Sequence, residues 1–118
     1  MNEETLARKG DWMTLVSGRQ FWPFDPRPGD VRIADIAHSL SMQCRYGGHS
    51  PQFYSVAEHS VLLSRRVSPE NQLWALMHDS PETYLKDTIR PIKRSFPELA
   101  TMEDTIMGVI AKKYGLPP

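Results

Sequence analysis

The sequence predicts an all-α fold: a compact helical bundle preceded by an irregular arm. Apolar residues recur at three- and four-residue spacing from Val31 onward. Helix-start and helix-stop signals bracket those runs, and the prolines before Val31 keep the first part of the chain out of helix. A chain of 118 residues is enough for one small domain with a single core. The division expected is residues 1–30 as arm and hairpin, and 31–118 as helical core.

In the arm, Met13-Thr14-Leu15-Val16 and Gln20-Phe21-Trp22 flank Ser17-Gly18-Arg19, the pattern of a short β-hairpin. Pro23, Asp25-Pro26 and Pro28-Gly29-Asp30 then form a rigid loop, and its prolines exclude helix there. The first helix is marked by Ile33, Ile36, Ala37 and Leu40, with Asp35 in its first turn, where the helix dipole favours a negative charge. A glycine-rich loop follows at Arg45-Tyr46-Gly47-Gly48-His49 and Ser50-Pro51.

Ser55-Val56-Ala57-Glu58 fits a capping box and predicts a second helix running to about Val67. Ser68-Pro69-Glu70 starts a third, with serine as cap and proline at the first helical position. Leu73, Trp74, Leu76 and Met77 give it the broad apolar surface of a central helix. Pro81 predicts that it ends or kinks at His78-Asp79-Ser80. A last helix starts near Pro97 with Leu99, Met102, Ile106, Val109 and Ile110 on one side. Lys112 and Lys113 suit its C-terminal dipole, and Gly115 followed by Pro117 stops it.

Composition narrows the class of function. Charged residues make up 24% and the formal net charge is zero, so no global field favours nucleic acid or a membrane surface. A single cysteine, Cys44, rules out an intrachain disulfide framework and reads as a small buried hydrophobe. No apolar run approaches the ~20 residues of a membrane span. The start Met1-Asn2-Glu3-Glu4 lacks the basic-then-apolar order of a signal peptide. The expectation is a cytoplasmic protein without stable nucleic-acid binding, with enough apolar surface to permit a homodimer.

The chemistry lies in His59, His78, Asp79, Glu82 and Asp87. Imidazole and carboxylate are ligands of divalent metals, which activate water or clamp phosphate. Each residue also has a plain structural reading. His59 sits among Val56, Leu62 and Leu63, where a histidine is usually a satisfied core residue; His78 ends a very apolar helix. Successive helical residues point about 100° apart, so His78 and Asp79 share a metal most easily where a helix is ending. Glu82 can simply complement a helix dipole after Pro81, and Asp87 can cap the next turn. Spacing leaves both readings open. Arg90-Pro91-Ile92-Lys93-Arg94 is either a solvated surface or, beside the acidic cluster, a phosphate contact. Arg45 beside Tyr46 can hold a phosphate while the ring stacks on a base, and Arg65-Arg66 are expected to face solvent.

Several segments in order resemble a known family. Residues 33–41, Arg45-Tyr46-Gly47-Gly48-His49, residues 54–60, Ala75-Leu76-Met77-His78-Asp79-Ser80-Pro81-Glu82 and residues 87–93 are similar to the small HD-domain phosphohydrolases. These include the bacterial 5′-deoxynucleotidases and phage-type deoxynucleoside triphosphate triphosphohydrolases. The resemblance covers roughly residues 12–115. It implies a metal-dependent hydrolase of deoxynucleotide mono- or triphosphates that works by metal-activated water. One divalent ion (Mn, Co, Zn, Mg, Ni or Fe) would be held by His59, His78 and Asp79. Glu82 would handle the nucleophilic water and Asp87 would act near the scissile phosphate. Arg45 and Lys93 would contact phosphate, and Tyr46 the sugar or base.

The family places a fourth ligand, an aspartate, on a helix beyond the one ending near Tyr114. No aspartate follows Asp104, and Asp104 is not assigned to the metal. The expectation is a chain lacking that last helix. Either it is a fragment, or water completes the metal shell, or the protein binds a nucleotide or a protein partner without turnover. A two-iron oxygenase on the same fold would need more histidine ligands. His38 and His49 are expected to serve helix packing and loop hydrogen bonding.

Overall fold

The glycine turn at Ser17–Arg19 closes a two-stranded antiparallel ribbon in the computed structural model, which describes residues 7–117. Strand β1 (Met13–Thr14) pairs with β2 (Gln20–Phe21), Met13 opposite Phe21 and Thr14 opposite Gln20. Gly18 has φ +84°, a conformation that glycine adopts without a Cβ penalty. The ribbon is shorter than the flanking apolar runs, and two contacts fix it to the body. Phe21 is fully buried and stacks on Tyr84, with ring centroids 3.7 Å apart and planes 9° from parallel. The Asp35 carboxylate accepts the Ser17 N–H and the Ser17 hydroxyl, each at 3.1 Å. Asp35 thus does more than complement a dipole: it is buried and holds the hairpin turn.

The prolines keep the next stretch irregular except for one 3-10 turn at Pro28–Asp30, which the expectation of a wholly non-helical arm did not include. Helix α1 spans Ile33–Met42 and buries Ile36 and Leu40, whereas Ile33, at its first position, is exposed. A short 3-10 segment, Arg45–Gly48, follows, with Tyr46 and Gly47 both at φ 60°.

Helix α2, Val56–Ser64, starts where the capping signal places it: Ser55 Oγ accepts the Glu58 N–H at 3.0 Å. The reciprocal bond from the Glu58 carboxylate is not formed among the described residues, and Glu58 is exposed. The helix ends at Ser64, short of Val67. A 3-10 turn at Pro69–Asn71 leads into α3, Gln72–Met77. Here Ser68 Oγ accepts from the Asn71 side chain at 2.8 Å and makes no side-chain cap bond to the helix backbone. Helix α3 is also less enclosed than its composition suggested. Ala75 and Met77 are buried, but Leu73 and Leu76 are exposed.

Helix α4 (Glu82–Leu85) follows the break at Pro81. Helix α5 (Arg90–Ser95) occupies the basic run, where no helix was expected; Pro91 lies in its first turn, a position proline tolerates. Helix α6 (Pro97–Tyr114) is the long one, ended by Gly115 in the left-handed conformation at φ 66°. Helix α1 packs on α2 and α4, α2 on α3, and α5 on α6. Ile106 and Ile110 of α6 are fully buried in a core shared with Phe21, Val31 and Val56. Among the described residues, no helix is long and apolar enough to cross a membrane.

Candidate metal centre

Two helix ends and one helix face build the site. Ser55 sets the start of α2, which carries His59 in its first turn, where the His59 N–H donates to the Ser55 carbonyl at 3.1 Å. Helix α3 stops at Met77 because Pro81 cannot continue it; Ser80 then donates its N–H and its hydroxyl to the Met77 carbonyl, at 2.9 and 2.6 Å. This tight turn relieves the angular problem of adjacent residues and brings His78 Nε2 to 3.0 Å from Asp79 Oδ2. His59 Nε2 approaches the same oxygen at 3.6 Å. The ligand atoms of His59, His78 and Asp79 all lie within 4.8 Å of one another.

The surroundings prepare the two imidazoles differently. His78 Nδ1 lies 2.6 Å from the Ala75 carbonyl. A carbonyl only accepts, so Nδ1 carries a proton. Without a metal, Nε2 donates to the Asp79 carboxylate; a metal ion would take the place of that second proton, with Nδ1–H still held by Ala75. The hydrogen bond to Asp79 raises the His78 pKa above its ordinary value, against the opposing effect of burial. Burial, with the Arg45 charge nearby, lowers that of His59. For Asp79, burial favours the acid, but the hydrogen bond and charge of His78 outweigh it and hold the carboxyl below its usual range. Two imidazoles and a carboxylate suit a first-row divalent ion, and three protein ligands leave positions for water or substrate. The donor set therefore fits one metal ion.

Glu82 lies beside the triad in the first turn of α4, only 7% exposed. Its Oε2 has no hydrogen-bond partner among the described residues. Burial, reinforced by the charges of Asp79 and Asp87, pushes its pKa up to about 8. Asp87 lies beyond α4 and is half-buried. It does not cap α5, whose N-cap is Ile89.

The cationic groups flank these carboxylates. The Arg45 guanidinium sits 4.7 Å from the Tyr46 ring centroid and 5.4 Å from that of Tyr54, which splints it by cation–π contact. Lys93 Nζ pairs with Glu103 at 2.9 Å. The residues given metal, acid–base or substrate roles from the sequence all line one cleft of about 660 Å³, from Arg45 and Tyr46 through the triad, Glu82 and Asp87 to Lys93.

The other expectations meet mixed outcomes. His38 is exposed, contrary to the helix-packing role expected of it, whereas His49, also exposed, makes a loop hydrogen bond from its backbone N–H to the Tyr46 carbonyl. Cys44 is half-buried, its sulfur 3.6 Å from Ser50 Oγ. Asp104 lines a separate groove with Trp74 and Lys112, away from the triad. Arg65 and Arg66 are exposed, as expected. Leu63 and Thr88 also line the cleft and were not singled out. The signal for Leu63 was its place one helical turn after His59.

The chain matches no protein-family profile. It is similar to the uncharacterized protein YfdR of Escherichia coli (strain K12), 48% identical over 107 residues, which cover 91% of this chain and 60% of that protein. It is also similar to an uncharacterized protein of Rhodobacter capsulatus, 35% identical over 119 aligned positions, 92% of this chain and 61% of that protein. The chain thus spans about 60% of the length of the curated relatives it matches.

Proposed function

We propose that this chain carries the site of an HD-type, metal-dependent phosphohydrolase acting on deoxynucleotides. The observation that supports this best is one cleft in which a His59–His78–Asp79 ligand cluster meets two further carboxylates, Glu82 and Asp87, and three cationic side chains, Arg45, Arg90 and Lys93. Bound at the triad, a divalent ion would supply Lewis acidity at a phosphoryl oxygen and positive charge that returns Glu82 toward its carboxylate form. Glu82 orients the attacking water and takes its proton, for which its unpartnered Oε2 is available. Asp87 supports protonation of the leaving oxygen. Arg45 and Lys93 neutralise phosphate charge, and the exposed Tyr46 ring offers a face to the sugar or base.

The test is release of phosphate or triphosphate from a panel of deoxynucleoside mono- and triphosphates by purified protein with Mn²⁺ or Co²⁺. Turnover is expected, and Asp79→Ala should lose at least the ~10–100-fold that even an outer-sphere metal partner is worth. Equal turnover by Asp79→Ala would refute the metal assignment. Binding without turnover is the second reading, motivated by a cluster that holds three of the four protein ligands the family resemblance implies. Under it, calorimetry detects tight nucleotide binding while no phosphate is released and no metal is retained.

A further inference from the structure

Glu82 and Asp87 are separated by a strained link. Lys86, between α4 and Asp87, has φ 70° and ψ 151°, a region that is essentially glycine's alone. A non-glycine residue stays there only when its surroundings over-determine it. The restraint here is Gln43, the residue that ends α1. Its Oε1 accepts the Asp87 N–H at 2.9 Å, and its Nε2 donates to the Glu82 carbonyl at 2.9 Å and to Ser39 Oγ at 3.0 Å. The Glu82 carbonyl also accepts the Lys86 N–H at 2.9 Å, so both ends of the strained link converge on one amide side chain.

The backbone of Gln43 extends this linkage to the ligand cluster. Its carbonyl accepts the N–H of Val56 at 2.9 Å, at the start of the helix that carries His59. The chemistry required is narrow. A backbone N–H can only donate and a carbonyl can only accept, so the group between them must present an acceptor and a donor side by side. A primary amide does so; a carboxylate lacks the donor and an ammonium lacks the acceptor.

We infer that Gln43 is a positioning residue, whose amide sets the aim of Glu82 and Asp87 into the cleft by holding the Lys86 link in its strained conformation. The role deepens the phosphohydrolase reading and rests on it for its effect on rate. Its structural half stands on the hydrogen bonds alone.

The experiment compares the unaltered protein with Gln43→Leu, which removes both bonds, and with the shorter Gln43→Asn, which keeps the amide but cannot span both partners. Amide hydrogen exchange needs no substrate. Exchange at Asp87 should accelerate about tenfold in Gln43→Leu while Ile106 and Ile110 stay protected. In turnover, kcat should fall about 10–100-fold with KM little changed, because the groups are present but misaimed. Adding Lys86→Gly to Gln43→Leu should recover part of that kcat, since glycine reaches φ 70° without strain.

Unchanged exchange at Asp87 overturns the inference, as does wild-type kcat in a folded Gln43→Leu protein whose only defect is a lower Tm. If the unaltered protein turns over no deoxynucleotide, the hydrolase reading fails. Exchange at Asp87 in Gln43→Leu, or in Gln43→Asn if the leucine variant does not fold, then decides the positioning role by itself.

Discussion

Glu82 shows how a single residue reports the state of the site. Buried and flanked by Asp79 and Asp87, it takes a proton more readily in the folded chain, at about 8, than at its ordinary value of 4.5. A raised value means the folded state holds the extra proton. The stabilisation is then fully present below about 4.5 and is lost as pH rises through about 8. For metal-free protein, thermal melts of Glu82→Gln and the unaltered chain should therefore diverge with pH, the glutamine variant gaining relative stability from pH 5 to pH 8. A difference independent of pH across that window would show that Glu82 ionises normally. His78 makes the complementary point about geometry. The Ala75 carbonyl, three residues back, selects its tautomer, a consequence of the helix ending where it does.

Among the elements, α2 shows a local signal that sets the geometry of the site. Ser55 caps the helix through the Glu58 N–H, and His59 lies in the first turn of that cap. Ser55→Ala should cost about 1 kcal/mol, read as a lower denaturation midpoint with an unchanged m-value. Unchanged stability would mean that the first turn of α2 is held by its neighbours instead. Element α5 marks the limit of such signals. Arg90-Pro91-Ile92-Lys93-Arg94 contains a proline and no clear apolar period, so it reads as a basic run. The helix it forms packs against α6, and Lys93 on it pairs with Glu103 of α6. That partner could not be located from the run itself.

At the scale of the whole molecule, the hairpin arm is part of the core that supports the cleft. Phe21 is fully buried against Tyr84, which lies two residues after Glu82 in α4. Phe21→Ala should cost roughly 3–5 kcal/mol, measured by chemical denaturation, because it leaves a cavity as well as losing the buried ring. A loss below about 1 kcal/mol would mean that the arm is peripheral to folding. Ile110→Ala, in the same core and fully buried, should cost roughly 2–5 kcal/mol in the same measurement.

What could be read directly from the chain follows from local physics. The cap at Ser55, the break at Pro81, the glycine turn of the hairpin and the stop at Gly115 each act within a few residues, and each appears in the structure. The types of residue needed for a divalent ion and a phosphate could be read as well, and the fold gathers all of them in one cleft. Leu73 and Leu76 show where periodicity stops informing. It identifies an apolar face, but whether anything covers that face depends on segments distant in sequence, and both are exposed. Asp35 and Gln43 show the same limit for polar groups. Their partners lie far along the chain: Ser17 for Asp35, and Glu82 and Asp87 for Gln43. A hydrogen bond between such residues leaves no periodic trace, because it forms only after the helices have packed. The sequence by itself determined the elements and the chemistry available to them. Only the tertiary structure decided which carboxylates share a cleft, which two imidazoles meet at Asp79, and which amide holds the strained link between α4 and Asp87.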